Sequence, residues 1–213
     1  LIKVDLERIK NNNPLRVESE VQIPEDITDS SVVIPIYRTP EGDGFLLQQR
    51  SHNLVSHPGQ IAFPGGARDP EDENLLSTAL REWTEEMGAP AEDLEIIGTY
   101  KGYFTHTGFH ITPYLAVYHG DFVFDFNQEE VERIIRLDLS RLWSEPFYSL
   151  HVRRNPSSPL MELFYFDLEE GLLWGATARI IVNFLREHCD FSRPPMIREM
   201  NLPGPPFFDP KKS

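Results

Sequence analysis

Cysteine is nearly absent from this chain. Cys189 is the only one in 213 residues, so no intrachain disulfide can form. Neither lysine nor arginine adjoins it to stabilise a thiolate, which argues against a catalytic thiol. Such sparing use of cysteine fits a reducing, cytoplasmic setting. Long apolar runs are missing too: the best stretch, Ile180–Val182, falls far below the roughly 20 residues needed to span a bilayer. The opening residues, LIKVDLERIKNNN, hold no basic segment followed by an apolar core, so no intact signal peptide is expected. Positive charge is scarce. Twenty basic against 34 acidic side chains give a net charge of −14, which repels nucleic-acid backbones and anionic membranes. A small phosphorylated ligand remains compatible, because a bound divalent ion reverses the local potential. The phosphate-cradling patterns GxGxxG and GxxxxGK[ST], CxxC pairs and the GxSxG elbow are also absent.

What is present reads as an ordinary α/β chain. SVVIPIYR (31–38) and GFLLQQR (44–50) form a predicted hairpin across TPEGDG. Segments 94–104, 109–119, 131–139 and 161–168 read as further strands. Leu76, Ala79, Leu80, Trp83 and Met87 recur at helical spacing, and Gly88 and Pro90 end that helix. GLLWGATARIIVNFLREH (171–188) reads as a C-terminal helix. The polar residues 1–30 form an N-terminal extension with one short helix near Val4–Ile9. Residues 190–213, with six prolines in 24 positions, form an extended tail. One α/β sandwich domain with a mixed sheet is expected over 31–189.

The chemistry concentrates on the first long helix. Glu82 and Glu86 stand one turn apart with Glu85 beside them, so three carboxylates project toward a common point. Such a group repels itself unless it is protonated, solvated or neutralised by cations. Oxygen-only ligation suits Mg²⁺ or Mn²⁺. Arg81, four residues before Glu85, can brace a carboxylate or meet phosphate. The bland alternative is a solvated charged face, but Leu76, Ala79 and Leu80 fix the helix and FPGG supplies a tight turn just ahead of it.

FPGGARDPEDENLLSTALREWTEEMGA resembles the signature of the Nudix hydrolases. Gly66 opens the pattern and Arg81–Ala89 closes it. The usual five-residue spacer leads to Asp72, and a spacer one residue longer leads to Glu73, so either can hold the supporting acidic role. LLQQRSHNLVSHPGQIAFPGG is similar to the added segment of the coenzyme A pyrophosphatase branch, retaining Arg50, Ser51, Leu54, His57, Gly59 and Gln60. It departs at Gln48, where threonine is usual, and at Val55, where arginine is usual. THTGFHITPYLAVY and WGATARIIVNFL extend the likeness across 31–187.

The resemblance implies a Nudix-type α/β/α sandwich and metal-dependent hydrolysis of a pyrophosphate bond, in coenzyme A or another nucleoside diphosphate conjugate. ADP-ribose or a nucleoside diphosphate sugar is the competing substrate, because Val55 cannot bond the extra phosphate of coenzyme A. The implied metal set is Glu82, Glu85, Glu86 and Glu130 with the Gly65 carbonyl. Glu85 and Glu130 compete for the role of general base, and Arg81 orients the acidic network. Arg50, His57 and Gln60 are the expected substrate contacts. His57, His106 and His110 also invite a histidine metal centre, but they are widely spaced and the last two flank a turn. The expected partner is a small phosphoanhydride, with no nucleic acid and no membrane; a homodimer is left open. A non-catalytic nucleotide-binding regulatory module is the rival class, and the intact glutamate trio argues against it.

Overall fold

A computed structural model describes residues 1–55, 57–105, 107–152 and 161–197. His106 and residues 198–213 of the proline-rich tail lie outside the described residues. The chain divides into two compact units, 1–140 and 141–213. This boundary falls inside the 31–189 span read as one domain.

The first unit holds helix α1 (Leu6–Asn12), strands β1 (Thr28–Thr39), β2 (Gly42–Arg50), β3 (Ile61–Ala62) and β4 (Gly65–Ala67), and helix α2 (Leu75–Met87). Strands β5 (Leu94–Thr99), β6 (Tyr103–Phe104), β7 (Phe109–Tyr118) and β8 (Val131–Asp138) complete it. The fold is mixed α/β, as expected, and the sheet is mixed. Its path runs β3–β2–β1–β7–β5, with β1 parallel to β7 and antiparallel to β2 and β4. β1 is thus enclosed on both edges, which accounts for its nearly continuous apolar run VVIPIY rather than an alternation.

α2 forms where helical periodicity and end signals agree. Asn74 accepts from the Ser77 amide at 2.9 Å, and the Ser77 hydroxyl accepts from the Asn74 amide at 2.9 Å, so both orphan donors are satisfied. Gly88 closes the helix in the left-handed region. The buried stripe Leu75, Ala79, Trp83 and Met87 packs on Val33, Tyr37, Leu46 and Tyr114 of the sheet. Trp83 is fully buried between Tyr118 and Phe124, and its indole N–H donates to the Pro90 carbonyl at 3.1 Å. That anchor fixes the rotation of α2 and therefore the direction of its glutamates.

The N-terminal residues are docked rather than loose. Val4 N donates to the buried Asp43 carboxylate, and the Val17 carbonyl accepts from both Leu75 N and the Tyr114 hydroxyl. The short helix spans Leu6–Asn12, slightly later than expected.

In the second unit, β9 (Phe147–Val152), β10 (Met161–Leu168), β11 (Gly171–Trp174) and β12 (Met196–Ile197) form a separate sheet carrying helix α3 (Gly175–His188). Two features depart from the sequence reading. β9 was not anticipated, and α3 begins only at Gly175. Gly171–Trp174 is instead a strand paired with β10, with Trp174 stacked on Tyr165 at 6.1 Å. A four-residue apolar run carries no period that separates a strand from a first helical turn, and tertiary pairing decides it. No described helix is long and apolar enough to cross a membrane.

Trp83→Ala leaves a large void under α2 and should cost about 3–5 kcal/mol. Urea denaturation checks this, and a loss below about 1 kcal/mol would show that Trp83 does not anchor the helix.

Candidate active site

Three elements converge on Glu86. It sits on the last turn of α2, only 2% exposed, yet keeps its carboxylate. Gly65 N donates to Oε2 at 2.9 Å, the Gln48 amide donates to the same oxygen at 2.6 Å, and Arg50 Nη1 lies 3.4 Å from Oε1. Gln48 and Arg50 reach it because alternate residues of β2 share the face on which Leu46 packs under α2. Burial pushes Glu86 up to about 7, and the nearby Glu82 charge adds to the rise; the Gly65 amide, Arg50 and Gln48 oppose it. Gln48 was noted in the sequence only as a departure from threonine. Its position on β2, same-face with Arg50, was the available signal.

Glu82 lies one turn back, over Gly66. A Cβ on Gly66 would sit 2.4 Å from Glu82 Oε1, so only glycine admits the carboxylate this close to β4. Burial raises the Glu82 pKa; Arg81 opposes the rise, and the charges of Glu85 and Glu130 add to it. Glu85 is more open, at 56% side-chain exposure.

Arg81 ties this group to the loop before the helix. Its Nε and Nη2 grip the two oxygens of Asp72 at 3.0 and 2.9 Å, while Nη1 reaches Glu82 at 2.9 Å and Glu85 at 3.0 Å. Of the two acidic residues left open by the longer spacer, Asp72 makes this contact. Glu73 contributes its backbone carbonyl to Arg68. The bidentate Arg81 contact holds the Asp72 carboxyl down at about 2.

Residues 57–60 fold back on the end of β2. Arg50 N donates to the Gln60 carbonyl, Gly59 N to the Arg50 carbonyl and Ser51 N to the Glu130 carbonyl. The structure therefore brings Arg50, Gln60 and Glu130 into one neighbourhood. His57 belongs to this turn with a left-handed φ of 53°. Burial, reinforced by Arg50, lowers its pKa. Glu130 precedes β8 and accepts weakly from the Asn127 amide at 3.3 Å. His110 stands elsewhere, buried and paired with Asp29 at 3.3 Å, so the structure does not bring it to His57.

Among the described residues, no three acidic or imidazole groups converge as a ready coordination shell. Arg81 occupies Glu82 and Glu85, and Glu86 is held by Gly65 and Gln48. The donor chemistry nevertheless fits a hard divalent cation: oxygen ligands only, with mutual repulsion that a cation would relieve. Three buried polar atoms in the same neighbourhood, Gln48 Oε1, Arg50 Nε and His57 Nδ1, have no protein hydrogen-bond partner. Such atoms at a native site call for a ligand, an ion or water.

The NUDIX domain family model matches residues 28–155. Two relatives, each described as an uncharacterized Nudix hydrolase, NudL, come from Yersinia pestis and Yersinia pseudotuberculosis. Each is 36% identical over 153 residues, covering 71% of this chain and 75% of the relative. A MutT/nudix family protein from Enterococcus faecalis is similar in structure, with a TM-score of 0.51 at 18% identity, over 79% of this chain and 66% of that one. The chain belongs to the Nudix hydrolase family. Its activity is pyrophosphohydrolysis of phosphoanhydride substrates, and family membership implies dependence on Mg²⁺ or Mn²⁺.

Glu86 gives stability a pH signature. Its folded pKa of about 7 exceeds the ordinary 4.5, so the folded state holds the proton more tightly. This contribution is fully present below about pH 4.5 and is lost as pH rises through about 7, on the order of 3 kcal/mol. Denaturation in EDTA at pH 5 and pH 8 should show wild type losing stability relative to Glu86→Gln. Parallel losses in the two proteins would contradict the raised pKa.

Proposed function

We propose that this Nudix hydrolase cleaves the pyrophosphate bond of coenzyme A or a closely related nucleoside diphosphate conjugate. The observation that carries this reading is the junction of the 50–60 segment with the glutamate helix at Glu86, through Arg50. The segment is the part of the chain that resembles the coenzyme A branch. A Mg²⁺ or Mn²⁺ ion held by Glu82, Glu85, Glu86 and Glu130, with the Gly65 carbonyl as a backbone donor, would screen phosphate charge and acidify the attacking water.

The residues of the chain divide the remaining work. Water attacks one phosphorus in line, the bridging P–O bond breaks, and Glu85 or Glu130 takes the water proton. Arg81 orients Glu82 and Glu85 against the Asp72 brace; a guanidinium is too weak an acid to serve as base. Arg50 offers a cation to the diphosphate. Gln60 and His57 offer hydrogen bonds to the conjugate. No covalent nucleophile is needed; the products are a nucleoside 5′-phosphate, which keeps the 3′-phosphate when coenzyme A is the substrate, and the phosphorylated partner.

Val55 favours a broader substrate range. It is fully exposed in the 50–60 segment, where it adds no charge toward the ribose 3′-phosphate of coenzyme A. An arginine at this position would add a charge-assisted contact worth roughly 2–3 kcal/mol. ADP-ribose or another nucleoside diphosphate conjugate is therefore a competitive substrate.

The test is product release from coenzyme A, dephospho-coenzyme A and ADP-ribose with Mg²⁺ or Mn²⁺, before and after EDTA. Glu82→Gln and Glu86→Gln should each lower turnover at least about tenfold, and Val55→Arg should move the kcat/KM ratio toward coenzyme A. Wild-type turnover in both glutamine variants would refute the assignment. A wild-type preference above about 100-fold for coenzyme A over its dephospho form, about 2.7 kcal/mol, would refute relaxed selection.

A further inference from the structure

A cavity of about 300 Å³ lies in the first unit away from the glutamates of α2. Its floor is β7, where His110 and Thr112 face into it. One wall is residues 12–21, which precede the 28–155 span of the family match. That wall is pinned at several points. Arg16 N donates to the Thr99 hydroxyl, which donates in turn to the Arg16 carbonyl, and the Val17 carbonyl takes two further donors. The cavity is thus bounded by fixed backbone.

Three observations define what it would hold. Thr112 is 3% exposed and its Oγ1 has no hydrogen-bond partner in the protein, although it borders the cavity. A buried hydroxyl left unpaired is costly, and a ligand donor or acceptor would relieve it. At the rim, Phe104 leaves 44% of its surface exposed while its ring rests against His110 at a centroid distance of 4.6 Å. A supported, open aromatic face is a stacking platform. Finally, charge at the lining is balanced. Among the lining residues Arg16 and Lys101 stand against Glu18 and Glu20; Arg16 pairs with Glu20 at 2.7 Å, and Glu18 also meets Arg68, outside the lining, at 3.1 Å. This balance disfavours a polyphosphate and suits an uncharged ring with hydrogen-bonding edges.

We propose that this cavity is a second ligand site, which takes a nucleoside: the base stacks on Phe104 and a polar edge bonds Thr112. Thr112 pairs with Ser31, which pairs with Gly66, so all three face the glutamate side of the sheet. Two strand spacings, about 10 Å, separate Thr112 from Gly66. Glu18 borders the cavity, and its partner Arg68 grips the loop before α2, so this pair partitions the two sites. The site does not depend on hydrolysis.

The test uses the full chain with adenosine as probe, read by saturation-transfer NMR and calorimetric titration without added metal. Wild type and Glu86→Gln should bind adenosine equally. Phe104→Ala and Thr112→Val should each weaken binding about tenfold. Valine matches threonine in shape and removes an unpaired hydroxyl, so an unchanged or raised melting temperature separates lost binding from lost folding. No saturable binding at millimolar adenosine, binding that either variant leaves unchanged, or binding abolished by Glu86→Gln would overturn the proposal.

Discussion

Glu86 is a carboxylate buried to 2% exposure, and much of the first unit is arranged around the cost of keeping it there. Two neutral donors and one guanidinium meet it from two strands: Gly65 from β4, Gln48 and Arg50 from β2. These contacts offset part of the burial cost but not all of it, which is why the pKa still rises to about 7. A group in that condition is destabilising for the isolated fold and useful to a cation. Loss of stability at the centre of a functional site is a common trade.

Arg81 plays the complementary part. It spans Asp72 on one side and Glu82 and Glu85 on the other, so the acidic loop and the helix share a single guanidinium. The loop is one residue longer than the usual spacer if counted to Glu73, yet Asp72, at the usual distance, is the residue that meets Arg81. The surplus position is absorbed by Glu73, whose carbonyl bonds Arg68 ahead of the Asn74 cap. Helix phase, fixed by Trp83 in the core, then decides which side chains aim toward β4.

The sequence displayed α2 most clearly, because periodicity and a terminal glycine agreed there. β1, β2, β7 and β8 were also legible from their apolar runs. β11 was not, since GLLW between Gly171 and Gly175 looks like a helix opening; Gly175, with φ of 71°, marks the break that the period hid. The N-terminal wall was read as an extension because its anchors are backbone groups, such as the Val17 carbonyl, that leave no pattern in side-chain identity. The glutamate positions and the Arg81 brace could be named in advance, but the partners of Glu86 could not. The bonds of Gln48 and Gly65 to Glu86 depend on strand pairing across the sheet, which local spacing does not encode.

The central claim is that the Glu82–Glu86 face is built to bind a divalent cation for pyrophosphate hydrolysis. Titration of the protein with Mn²⁺, following the free-ion signal by electron paramagnetic resonance, tests that claim without relying on a substrate. Wild type should deplete free Mn²⁺ saturably, and Glu82→Gln and Glu86→Gln should weaken this binding at least about tenfold while their circular dichroism stays native. Mn²⁺ binding in both variants equal to wild type would contradict the account.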